Sequence, residues 1–193
     1  MRRTVGGILM GAMTTQAIAV PDASEYAPYY GRYISMVPAN DALATLEREA
    51  ERTARLLAGL TEDQSDYRYA PDKWSVKEVV GHVVDSERVM AYRALRIARG
   101  DRTPIAGFEQ DDYVREGGFG RRALANLVEE FSAVRRATVL LFRGFEPEAW
   151  TRRGIANGLE ISVRALAYVI AGHELHHRSI LQEKYLPPAG GGR

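Results

Sequence analysis

The chain contains no cysteine among its 193 residues. That absence excludes disulfides, thiolate metal sites, iron–sulfur clusters and a cysteine nucleophile, and it suits a reducing compartment such as the cytoplasm. Any metal must then be held by histidine or by oxygen. Charge of one sign is lacking too, because 26 Lys and Arg face 25 Asp and Glu and leave a net charge of +1. No segment carries the concentrated basic stripe needed to neutralise a phosphate backbone, so nucleic acid is not an expected partner. Long apolar runs are missing, and nothing approaches the roughly 18 consecutive apolar residues of a membrane span. No stretch alternates with period two for long enough to predict a strand, and no internal repeat is visible. Histidine is scarce, with four residues, three of which fall within "AGHELHHRSIL" at 171–181.

The N-terminal "MRRTVGGILMGAMTTQAIAV" imitates a secretory signal, with Arg2 and Arg3 before a mildly apolar run and Ala17-Ile18-Ala19 after it. Gly6, Gly7, Gly11, Thr14, Thr15 and Gln16 interrupt that run. Residues 1–24 are therefore read as a disordered extension, dispensable to about residue 20, with Met13 a second possible start. Residues 187–193, "PPAGGGR", read as a flexible tail. The body between, 25–186, is expected to be one all-α domain.

Four amphipathic helices account for it. The first spans about 41 to 58, with Leu43, Leu46, Ala50, Ala54 and Leu57 on one face and Glu47, Arg48, Glu51, Arg52 and Arg55 on the other. The second opens at "WSVKE", where Ser75 and Glu78 have capping-box spacing, and halts at Gly100. The third covers about 121 to 143 and ends at Gly144. The fourth begins after Ser162 and stops at Pro187-Pro188. Helices in this number predict a four-helix bundle. About twenty residues, "GDRTPIAGFEQDDYVREGGFG", separate the second helix from the third, enough for a long crossover that lets the two run parallel. This loop and "GFEPEAWTRRGIANGLE" are candidates for the lid of a site. Tyr26, Tyr29, Tyr30 and Tyr33 are expected to strap the N-terminal segment onto the bundle.

On the fourth helix, Leu166, Ile170, His173, His177 and Ile180 lie within roughly 40° of one axis at 100° per residue, whereas His176 falls about 80° away. Two core-facing imidazoles at i and i+4 need a shared partner, since burying both unpaired costs desolvation with no return. A metal ion supplies one. The remaining histidine, His82, sits at the shoulder of the second helix's apolar stripe, beside Gly81, which permits close approach to the fourth helix. His82, His173 and His177 would leave a coordination position open, the pattern of a catalytic site. Glu78 and Asp85 are placed to receive the free N–H of His82. "HELHH" also matches the zinc-protease pattern H-E-x-x-H, but only sixteen residues follow His177 to supply a third ligand, and no G-x-x-H follows. Glu174 is a candidate base beside metal-bound water, with a solvated helix position as its alternative.

Two motifs, "YAPDKWSVKEVVGHVVDSER" around His82 and "SVRALAYVIAGHELHHRSIL" around His173 and His177, resemble the DinB superfamily and its YfiT-like branch. The first carries W-S-x-K-E-x-x-x-H-x-x-D and the second H-x-x-x-H late in the last helix. The resemblance covers about residues 25 to 186; the first 24 match nothing in it. It implies a four-helix bundle with a long crossover, a divalent metal on three histidines, and a homodimer. Some relatives are S-transferases using bacillithiol or mycothiol, and related folds isomerise maleylpyruvate. The expected protein is thus a metal-dependent enzyme with one zinc or nickel ion, acting on a small molecule. A transferase activating a low-molecular-weight thiol leads, a hydrolase using metal-bound water follows, and a non-catalytic binding or stress protein is the third reading.

Overall fold

The computed structural model describes residues 17–186. Four long helices dominate it: α2 (Ala42–Ala58), α4 (Val76–Ala98), α6 (Leu124–Arg143) and α7 (Val163–Ile180). Shorter elements are α1 (Gly31–Ile34), α3 (Glu62–Asp66), α5 (Gln110–Gly117), and the strands β1 (Arg153–Ala156) and β2 (Leu159–Ser162). The fold is thus the expected all-α four-helix bundle with a small hairpin added.

The helices α4 and α7 start where their sequence says they should, whereas α6 starts at Leu124, three residues after the expected position and without a side-chain cap. Ser75 accepts a hydrogen bond from the Glu78 amide while Glu78 accepts from the Ser75 amide, completing the capping box. Ser162 caps α7 through the Ala165 amide. The helix α7 is apolar nearly all round its first two turns, and residues 165–171 are buried. A helix of that composition belongs at the centre of a core. It packs on α1, α2 and α4, while α6 covers the opposite faces of α2 and α4.

Side-chain pairing gives the directions. Arg88 meets Glu130, while Tyr92 and Leu95 line a groove with Thr138 and Leu141, so α4 and α6 run parallel. Glu47 pairs with Arg143, while Ala54 lies in the groove beside Ser132, so α2 and α6 are antiparallel. The long crossover from α4 to α6 is what permits the parallel pair. It is not structureless: it contains α5 and a 3-10 turn at Phe119–Arg121, and Ile105 exchanges backbone hydrogen bonds with Ile155 and Asn157 of the hairpin.

The hairpin corrects the reading that no strand is present. Its two strands are four residues each, too short for period two to register. The signal was instead in the turn, since Asn157 (φ 53°) and Gly158 (φ 74°) form an Asn-Gly pair with positive φ at both central positions.

Of the expected extension 1–24, residues 1–16 lie outside the described residues, as does the tail 187–193. Residues 17–24 are part of the packed body rather than disordered. Ile18 is buried, its carbonyl accepts from the Tyr168 hydroxyl at 2.8 Å, and Asp22 caps a 3-10 turn containing Glu25, which pairs with Arg164. The physical reason is an apolar side chain with a core slot to fill.

Candidate metal centre

The antiparallel contact of α4 with α7 brings His82 opposite His173 and His177. The His82 Nε2 lies 3.1 Å from His173 Nε2, and His177 Nε2 lies 3.2 Å from the same atom. One ligand atom from each of the three histidines falls within 4.8 Å of the others. Imidazole nitrogens 2.0–2.1 Å from a tetrahedral ion stand about 3.4 Å apart, so the observed spacing is close to that of a ready ligand set. Burial pushes the His82 imidazole down to about 4. Burial, and then the crowding of neighbouring histidines, push His173 and His177 well below the usual value. All three are therefore neutral at pH 7, with lone pairs available to a cation.

The surroundings fix the rings. Trp74 lies 4.7 Å from the His82 ring and Tyr33 stands edge-on to His173 at 5.3 Å. Gly172 makes the second contact possible, because a Cβ there would sit 2.0 Å from the Tyr33 carbonyl oxygen. Gly81 does allow a close approach, but to the Phe119 ring of the crossover and not to α7. His176 lies outside the ligand set, edge-on to Tyr33 at 5.4 Å.

The two sequence-predicted neighbours of His82 behave differently from expectation. Glu78 does not reach His82; it closes the capping box and pairs with Arg68. Asp85 turns toward Arg88, 3.6 Å away. The polar group beside His82 Nδ1 is instead the Ser86 hydroxyl, one turn further on at 3.5 Å. At i+4 it stands directly above His82, while the longer acids find cations at the surface.

Glu174 is neither solvated nor free to act as a base. It is buried, one oxygen accepting from the Thr53 hydroxyl at 2.6 Å and the other from Arg135 Nη1 at 2.5 Å. Arg135 is itself fully enclosed: it holds Glu87 through Nε and Nη2 and donates to the Leu46 carbonyl. This charged cluster ties α2, α4, α6 and α7 together. Sequence reasoning did not find it, because one arginine of the Arg135-Arg136 pair gives no periodic signal of where its head goes.

The His82 and His173 imidazoles open onto a cavity of about 410 Å³, while His177 stands behind them. Its walls come from α4 (His82, Ser86, Met90, Arg93), the tyrosines of the N-terminal segment, the crossover (Phe108 to Asp111) and the hairpin (Asn157, Leu159). Both loops read as lid candidates thus line it. The tyrosines do two jobs: Tyr33 is buried against α7, and Tyr29 and Tyr30 face the cavity. The donor set suits a divalent ion, while the cavity gives a small molecule access to it.

Comparison with known proteins agrees with this geometry. The DinB superfamily profile matches residues 45–181. YfiT from Bacillus subtilis, described as "a probable metal-dependent hydrolase with an unusual four-helix bundle topology", superposes with a TM-score of 0.62 at 16% identity, covering 84% of this chain and 89% of its own. A mycothiol-dependent maleylpyruvate isomerase superposes with a TM-score of 0.62 at 12% identity, covering 75% of this chain and 61% of its own. No curated protein matches the sequence. At these identities the two structures speak to fold alone.

Proposed function

The chain belongs to the DinB superfamily, and from that premise we propose a metal-dependent enzyme in which His82, His173 and His177 hold one divalent ion, zinc or nickel, and a small thiol is the activated group. The observation that carries the reading is the convergence of three neutral imidazoles, two of which, His82 and His173, line a 410 Å³ cavity. A bound divalent ion lowers the pKa of a ligated water or thiol and so supplies a nucleophile at neutral pH.

The protein's own groups favour a thiol over water. Hydrolysis through water gains from a positioned general base. Glu174 and Glu78 are both engaged elsewhere, and the acids that line the cavity, Glu109 and Asp111, are exposed on the crossover. A thiol held as thiolate needs no such base. Met90, Phe108 and the tyrosines would hold the substrate body, exclude water and direct it to the imidazoles. Hydrolysis is the second reading, supported by the description of YfiT. A homodimer is part of the proposal, to be checked by light scattering.

The test is turnover by zinc- or nickel-loaded protein. A panel of small thiols with an electrophile should react, with at least a hundredfold loss in His173→Ala. Ester or amide cleavage that ignores added thiol would replace the transferase with the hydrolase.

A further inference from the structure

Arg93 is buried, 3% exposed, and lines the same cavity as His82 and His173. Its only hydrogen bond among the described residues runs from Nη2 to the Ala106 carbonyl at 3.1 Å, and its Nε is buried with no partner. No carboxylate among the described residues lies within ion-pair distance of it. Arg135 provides the contrast within the same molecule. It is equally buried, and its Nε and Nη2 clasp the Glu87 carboxylate. For Arg93 the described chain supplies no such anion, only the Phe108 ring, 5.9 Å from the guanidinium carbon.

A guanidinium out of water without a counter-charge is costly, and an arriving anion that pairs with it recovers the loss. The fork of N–H donors suits a carboxylate or phosphate held at two oxygens. Position adds direction. His82, Ser86, Met90 and Arg93 follow one face of α4, eleven residues from first to last, or about 16 Å of helix rise. Side chains on a helix lean toward its N-terminus, which is the His82 end of this face.

We propose that Arg93 determines specificity: the substrate is a small organic oxyanion whose anionic group pairs with Arg93 while its reactive end lies at the histidine cluster. The proposal deepens the enzyme reading and rests on it for the reactive end only. Arg93 and its cavity exist whether or not a metal is held.

The experiment is ligand-observed NMR titration of the full chain, as purified and after chelation, with three probes of one shape: benzoate, phenyl phosphate and the neutral benzamide. At least one anion should bind saturably and at least about tenfold more tightly than benzamide, the range of a charged hydrogen bond. Which anion binds better distinguishes carboxylate from phosphate. Arg93→Gln and Arg93→Met should abolish the preference and Arg93→Lys should retain part of it, with metal content unchanged. Persistence of the preference after chelation separates it from binding at the metal. Because Arg93→Met removes an unpaired buried charge, its Tm should be no lower than that of the parent; a purely structural arginine would give a fall. Equal binding of benzoate and benzamide, no saturable anion binding, or full anion preference in Arg93→Met each overturns the proposal, whatever the metal analysis finds.

Discussion

At His82 a proton and a cation compete for one lone pair. Burial holds this imidazole at about 4 when folded against 6.5 as its ordinary value, so between those values the unfolded chain binds more protons than the native one. Stability of the metal-free protein should therefore rise with pH across this window and be lost as pH falls from 6.5 toward 4, read as Tm against pH. Metal retention should fail on the same acid side, because the ligands must be neutral. Elemental analysis should find about one divalent ion per chain, lost in His173→Ala and His177→Ala and kept in His176→Ala, because the His176 ring meets Tyr33 edge-on outside the cluster. Loss in the His176 variant with retention in the other two would reverse the helical phasing. The buried arginine gives a separate prediction. Arg135→Ala strands two carboxylates in the core and should cost about 3–5 kcal/mol by denaturant titration. Glu174→Gln keeps an acceptor for Arg135 and should cost about 1–3 kcal/mol while sparing turnover; a folded, metal-bound but inactive Glu174→Gln would restore that residue as the base.

Among the elements, α1 shows how a short helix can govern a site it does not ligate. Its Tyr33 backs His173, and the fit depends on a bare backbone at Gly172. Gly172→Ala should force α1 off α7, costing roughly 1–3 kcal/mol as overpacking does, and should weaken metal affinity together with stability. Parental stability with parental affinity would show that α1 yields without disturbing His173. The starts of α4 and α7 were legible, whereas α6 begins three residues later than expected and α7 gives way to a π-helical turn after Ile180. Capping at Ser75 and Ser162 is a local reaction between side chain and nearby amides, so it is written in the sequence. The hairpin was legible in principle through Asn157-Gly158, but a search for alternating hydrophobicity passes over four-residue strands.

For the whole molecule, the stretch before the bundle is the open question that stability can answer. Ile18 occupies a core slot and its carbonyl takes the Tyr168 hydroxyl. Deleting residues 1–24 should lower Tm, by the equivalent of about 1.5–3 kcal/mol for the lost apolar burial. An unchanged Tm would mean that Ile18 adds nothing to the core. Among the described residues no helix is long and apolar enough to cross a membrane, which matches the absence of apolar runs in the chain.

Local signals along the chain specify the four long helices, the caps of α4 and α7, and the phasing that points His173 and His177 inward and His176 aside. Each of these follows from the fixed 100° step of a helix or from contacts within four residues. What those faces meet depends on packing between elements far apart in the chain. That packing set Ser86 rather than Glu78 or Asp85 beside His82, gave Gly81 to Phe119, enclosed Arg135 between two glutamates, and left Arg93 without an anion. Such pairings join residues far apart in the chain, and a long charged side chain carries no periodic signature of the partner it will find.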